Sequence, residues 1–75
     1  FPIKAMGRTS EGFQAIVTHI VRGHAELWPG ESVRCNESRN GNYLAVTLVV
    51  RATSQEQLDA IYQELTDSPD VLMAL

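Results

Sequence analysis

The sequence has only one cysteine, Cys35, so the chain cannot form an intrachain disulfide. A lone cysteine is typical of proteins that remain in a reducing compartment. We therefore expect a cytoplasmic location.

Long apolar runs are missing as well. No stretch approaches the roughly 18–20 consecutive apolar residues that a membrane-spanning helix needs, so we expect no membrane association.

Positive charge is also scarce, since 6 Lys and Arg stand against 9 Asp and Glu and give a net charge of −3. This balance argues against nonspecific binding to nucleic acid or to an anionic membrane surface.

The length and composition indicate one folded domain over residues 1–75. A hydrophobic fraction of 44% and a charged fraction of 20% are ordinary for a globular protein. A chain this short buries only about 60–65% of its unfolded surface, so its own core is marginal. Association that covers more apolar area would therefore add stability.

The first third of the chain predicts a strand followed by a helix. Residues 1–7 alternate with the period of two that is typical of a half-buried strand. Thr9, Ser10 and Glu11 predict a helix start, because hydroxyl side chains can cap free amides. The helix is expected to continue to about His24. Its apolar stripe consists of Phe13, Ile16, Val17, Ile20 and Val21.

The middle of the chain predicts a β-hairpin. Residues 31–38 form a short, polar strand of the kind found at sheet edges, with Val33 and Cys35 turned inward. The Asn-Gly pair at positions 40–41 favours a tight turn with positive φ at both residues. Residues 43–52 are apolar on both faces, which favours a central strand.

The last third predicts a second helix and a final strand. Thr53 or Ser54 begins the helix, in a capping box with Glu56 or Gln57 respectively. Residues 70–75 form the last strand, and their pattern leaves open which alternate side chains face the core.

The predicted order βαββαβ gives two helices with one apolar stripe each, so both must cover the same face of one sheet. Right-handed crossovers then predict an α+β, ferredoxin-like sandwich. Its sheet has four antiparallel strands in the order 4-1-3-2.

The inventory of reactive side chains does not suggest an enzyme. His19 and His24 lie about 140° apart around a helix, which makes them a poor metal pair. No nucleophile is flanked by a base and an orienting group. We interpret Cys35 as a small core residue, and we expect no catalytic residue, no metal and no cofactor.

Some domains of this fold class bind RNA by stacking bases on several strand aromatics. The corresponding stretch here, at positions 41–47, offers only Tyr43. Nucleic-acid binding is therefore the alternative function rather than the expected one.

Two features suggest binding. The uncovered face of the predicted sheet is half apolar, which is typical of a subunit or partner contact, although a solvated face is the competing interpretation. The residues expected to contact a partner there are Lys4, Tyr43, Thr47, Val49 and Arg51.

Separately, the turn after the first strand, residues 7–12, leads to a helix N-terminus that favours an anionic ligand. A plain β-to-α connection is the alternative there.

The sequence resembles the YbeD-like family of small bacterial proteins in three motifs. These are Lys-Ala-Met-Gly at 4–7, Gly-Asn-Tyr at 41–43 and Tyr-Gln-Glu-Leu at 62–65. The family is similar to ACT domains, βαββαβ modules that pair and bind amino acids to regulate metabolic enzymes. The resemblance implies a ligand site at Gly7, which matches the glycine of the ACT ligand turn, with Arg8 and Thr9 as neighbours.

We therefore expect a small regulatory or protein-interaction module that is not an enzyme. The expected partners are a second copy of the chain or a partner enzyme, together with a small-molecule effector.

Overall fold

The computed structural model describes all 75 residues, Phe1–Leu75. The sheet has four strands in the order β2-β3-β1-β4, which confirms the predicted order read from its other edge. All strand pairs are antiparallel. The elements in chain order are β1 (Pro2–Arg8), α1 (Phe13–Arg22), β2 (Val33–Glu37), β3 (Tyr43–Val49), α2 (Gln55–Asp67) and β4 (Met73–Ala74).

β3 is a central strand, as predicted, and so is β1. β1 pairs with β3 over its whole length, from Pro2 opposite Val49 to Arg8 opposite Tyr43. β4 is much shorter, yet Lys4 and Leu75 exchange two backbone hydrogen bonds beyond it, of 2.7 and 3.0 Å. The strands β2, β3 and β4 are all shorter than predicted.

The core lies between one face of the sheet and the two helices. Strand alternation places every second residue of β1 and β3 on this face, and both helices contribute their apolar stripes. Large side chains here gain about 1.5–3 kcal/mol each by leaving water. The buried apolar residues are Ile3, Ala5, Phe13, Val17, Ile20, Val21, Ala25, Val46, Leu48, Val50, Ile61 and Leu65.

The prediction that Cys35 is a core residue is wrong. Its register opposite Val46 does place it on the helix side of the sheet, but Cys35 is exposed. α1 packs on β1 and β3, and α2 packs beside β4. The edge strand β2 therefore extends past the helix layer, and only Val33 at its start reaches the core.

The start of α1 also differs from the prediction. Gly12 is the N-cap residue, and no side chain caps the helix. A backbone group acts instead at one position, where the carbonyl of Ser10 accepts from the Phe13 amide. The bond from the Ile16 amide to the Gly12 carbonyl is the first regular bond of the helix. The proposed capping by Thr9 or Ser10 hydroxyls is therefore wrong.

The N-cap residue of the second helix is Ser54, as predicted by the capping box of Ser54 with Gln57. The Ser54 hydroxyl accepts from the Gln57 amide at 3.1 Å. The Gln57 side-chain oxygen accepts from the Thr53 amide at 2.8 Å, one residue earlier than in the standard box. Its side-chain nitrogen donates to the His24 carbonyl at 3.0 Å, which ties the start of α2 to the end of α1.

The β2–β3 hairpin is confirmed, but its turn is not the one predicted. Only Gly41 has a positive φ, of 73°, and Asn40 does not share it. The loop is closed by Ser38, whose amide donates to the Tyr43 carbonyl at 2.8 Å and whose hydroxyl accepts from the Tyr43 amide at 3.1 Å. Four residues, 39–42, therefore form the loop in place of a two-residue turn.

The sequence pattern left open which side chains of β4 face the core, and the register of β4 against β1 decides this. Ala74 lies opposite Ala5 and packs on the core, whereas Met73 lies opposite Met6 on the other face.

Gly7 is the most tightly packed glycine, and we predict that Gly7→Ala destabilises the protein. A methyl group there would overlap the Phe13 ring and lie 2.5 Å from the carbonyl oxygen of Asp70. Overpacking of this kind costs about 1–3 kcal/mol, which corresponds to roughly 4–8 °C of melting temperature per kcal/mol for a small domain. Thermal unfolding followed by circular dichroism measures the change.

Gly12→Ala is the matched control, because nothing lies within 4 Å of the added methyl group. Its free energy of unfolding should change by less than about 1 kcal/mol. Equal melting temperatures for the two variants would contradict the packing role of Gly7.

The cap of α2 gives a second prediction. Ser54→Ala removes the acceptor for the Gln57 amide and should lower the free energy of unfolding by about 1 kcal/mol. Thr53→Ala is the control, because the Thr53 hydroxyl makes no hydrogen bond while its amide does. Urea unfolding compares the two, and the prediction fails if Thr53→Ala is the more damaging change.

Candidate functional site

The sheet face opposite the helices is not covered by any other element of the chain. We call it the open face. Strand alternation and pairing place the following residues on it: Pro2, Lys4, Met6, Arg8, Arg34, Asn36, Tyr43, Ala45, Thr47, Val49, Met73 and Leu75.

The centre of the open face is an apolar row that crosses three of the four strands, β4, β1 and β3. It consists of Met73, Met6 and Ala45, and it ends at Asn36 on the β2 edge. Met6 and Ala45 are half-buried between their strand neighbours, while Met73 is 53% exposed. Since the helices pack on the other side, no other part of the chain covers this row.

The charged residues of the open face are all cationic. Lys4 and Arg34 flank Thr47 in the next row across the strands, and Arg8 lies opposite Tyr43 on the other side of the apolar row. No Asp or Glu belongs to this face, since Glu37 pairs with Leu44 on the helix side. The acids lie on α2, at the end of β2 and in connecting segments.

Of the five residues predicted to contact a partner, the structure brings four together. Lys4, Tyr43, Thr47 and Val49 share the open face. Arg51 lies beyond the end of β3, where its guanidinium carbon is 5.4 Å from the centre of the Trp28 ring. It joins a different group of side chains, at the end of the sheet, that includes Arg22 and His24.

Sequence reasoning turned Arg34 outward on the edge strand but did not count it among the partner residues, and it left the face of Met73 open. Arg34 follows from alternation along the edge strand once β2 is paired with β3. Met73 follows only from its pairing with Met6, because the apolar residues around it show no alternation.

The three residues of the predicted ligand site separate to two sides of the sheet. Gly7 is buried on the helix side, against Phe13 and Asp70, where a packing role accounts for the absence of a side chain. Arg8 and Thr9 are exposed and adjoin the hairpin loop, with the Thr9 amide donating to the Asn42 carbonyl at 3.0 Å. A ligand role for the three residues remains a prediction.

Arg8 and Thr9 border an open depression of about 470 Å³. Its other lining residues are Gly41, Asn42 and Tyr43. The depression is mostly polar, and Tyr43 belongs both to it and to the open face. A ligand bound here would meet a guanidinium, a hydroxyl and an amide side chain.

Of the two histidines, His24 makes a structural contact. His24 Nε2 lies 2.7 Å from a carboxylate oxygen of Glu64, which joins the end of α1 to α2. Partial burial raises the pKa of the Tyr62 phenol above its ordinary value, so this group remains neutral.

No three His, Cys, Asp or Glu side chains converge as a metal-binding group. Neither helix combines the length and apolarity required to cross a bilayer.

Comparison of the chain with solved structures agrees with the fold. The crystal structure of the ACT domain from the GTP pyrophosphokinase of Chlorobium tepidum matches with a TM-score of 0.77 over 99% of this chain and 91% of that one. The sequence identity is 12%, so the likeness concerns the fold alone.

Comparison with sequences identifies close relatives over the full chain. The UPF0250 protein NE1487 of Nitrosomonas europaea is 44% identical over 75 residues, which cover 86% of its length. The UPF0250 protein RSc0326 of Ralstonia nicotianae is 40% identical over 75 residues, or 77% of its length. A family model described as a protein of unknown function, DUF493, matches residues 1–75. The chain therefore belongs to the DUF493 family, whose UPF0250 members include the YbeD-like proteins that its sequence motifs resemble.

Proposed function

We propose that the protein is a regulatory, non-catalytic module that acts by binding another protein through its open face. The observation that carries the proposal is the apolar row of Met73, Met6 and Ala45, which lies uncovered in the middle of the sheet. Tyr43 and Leu75 extend this apolar surface, with 45% and 61% of their area exposed. Uncovered apolar area of this kind is typical of interaction sites.

The fold supports a regulatory role by analogy. The matching ACT domain comes from an enzyme, a GTP pyrophosphokinase, and it has the same two-layer architecture. A partner enzyme that binds the present chain as a separate subunit would reproduce that relationship between a domain and an enzyme. We also propose a cytoplasmic location, because the exposed thiol of Cys35 suits a reducing compartment.

Nucleic-acid binding is the alternative that one observation favours, namely the cations of the open face. Base stacking is the other requirement for binding single strands, and Tyr43 is the aromatic residue that this face supplies. The four acidic side chains of α2 add a repulsive field on the same small molecule. Protein binding is therefore the function that we propose first.

Substituting the centre of the open face tests the proposal. Met6→Glu places a carboxylate in the apolar row, and we expect partner proteins captured from the source cell to fall at least about tenfold, because burying an unpaired charge costs several kcal/mol. Captured proteins are quantified by mass spectrometry, and light scattering on the purified chain measures self-association.

Gln14→Glu is the control with the same added charge on the exposed side of α1. It should retain the partners, and circular dichroism should show both variants folded. Capture that is unaffected by Met6→Glu, or equally reduced by Gln14→Glu, would refute binding through the open face.

A second candidate function is the binding of a small anionic effector beside Arg8. The observation that favours it is the depression in which Arg8 and Thr9 meet Asn42 of the hairpin loop. A carboxylate there could accept hydrogen bonds from the guanidinium, the hydroxyl and the side-chain amide.

Thermal shift with the amino acids and related carboxylates tests this site. A ligand at 100 times its dissociation constant adds about 2.7 kcal/mol, which should raise the melting temperature by roughly 10 °C or more. Arg8→Ala should abolish the shift, whereas Arg39→Ala should preserve it because Arg39 does not border the depression. An equal shift in wild type and Arg8→Ala would place the ligand elsewhere.

A further inference from the structure

The cations of the open face lie on two sides of the apolar row. Lys4 and Arg8 are four residues apart on β1, with Met6 midway between them. A rise of about 3.3 Å per residue places their backbones about 13 Å apart. Arg34 is on the same side of the row as Lys4, one strand beyond Thr47.

These dimensions match an α-helix laid across the strands. A helix with its side chains is about 10–12 Å wide, which fits between cations whose backbones are about 13 Å apart. The three apolar residues span two strand spacings of about 4.8 Å, and Asn36 lies one spacing further. The distance across the sheet from Met73 to Asn36 is therefore about 14 Å, which corresponds to nine or ten residues of helix. Met73, Met6 and Ala45 would lie under such a helix.

We propose that the open face binds an acidic amphipathic helix of another protein. Its apolar stripe packs on the row of Met73, Met6 and Ala45. Carboxylates on its two flanks pair with Lys4 and Arg34 on one side and with Arg8 on the other. The proposal rests on the proposed function and specifies the chemistry of the partner.

A second copy of the chain does not fit this surface. A two-fold contact between two open faces would bring six cations together with no carboxylate between them, because each face supplies Lys4, Arg8 and Arg34. The acidic helix α2 of another copy cannot offer an apolar stripe, since its Ile61 and Leu65 are fully buried in its own core. The partner therefore supplies the helix from a different chain.

Photocrosslinking in the source cell, with the full chain, tests the proposal. A photoreactive amino acid replaces Asn36, an exposed residue at the end of the apolar row. The crosslinked segment is then identified by mass spectrometry. We expect a protein segment that has apolar residues at helical spacing flanked by Asp or Glu. The same probe at Gln14, on the exposed side of α1, should give less than about a tenth of this yield.

Charge reversal supplies the second arm of the experiment. Lys4→Glu with Arg34→Glu should reduce the crosslink from position 36 at least about tenfold, since like charges repel across an interface. Arg22→Glu with Arg39→Glu makes the same change in net charge away from the open face and should leave the yield within about twofold. If the first double variant does not fold, the salt dependence of the crosslink in extract decides, and the yield should fall severalfold between about 0.05 and 0.5 M NaCl.

Each other outcome overturns the inference. Crosslinks to RNA, to a second copy of the chain or to a protein segment without carboxylates exclude an acidic helix. Only the last of these leaves protein binding through the open face intact, so the two proposals can fail separately. A yield at position 36 no greater than at position 14, or one unchanged by charge reversal or salt, also counts against it.

Discussion

The full-length pairing of β1 with β3 is the constraint on which the rest of the structure depends. It sets Ile3 and Ala5 beside Leu48 and Val46 on one face, and by the same alternation it sets Lys4 beside Thr47 on the other. A shift of one residue would exchange the two faces and expose the core. Core and candidate site are therefore fixed by one register, and neither can change without the other.

A whole sheet face is uncovered because both helices pack on the other one. Two short helices can cover one side of a four-stranded sheet only in part, as the exposed Cys35 on the β2 edge shows. The second side has no layer of its own. A small domain buries a low fraction of its surface in any case, so further burial has to come from association.

The sequence predicted those parts of the fold that depend on periodicity. Alternation and helical spacing identified the core faces, and the Ser54–Gln57 pair identified the start of α2. What it missed depends on the lateral position of one layer over another. By strand alternation Cys35 lies on the helix side of the sheet, but no helix covers it. The width of the helix layer cannot be predicted from a local sequence pattern. The start of α1 was misplaced for a local reason, because the Ser10 carbonyl accepts from the Phe13 amide where a hydroxyl cap had been expected.

The net charge of the whole chain does not describe the charge of the candidate site. A net charge of −3 argues against anionic partners only if the charges are mixed, and here they are separated. Lys4, Arg8 and Arg34 share one face, while α2 carries four carboxylates on the opposite layer. At physiological ionic strength charges are screened within about 8 Å, so a partner close to the open face experiences its cations more strongly than the acids beyond the sheet. Local charge and the width of the apolar row, rather than net charge, therefore determine what this surface can bind.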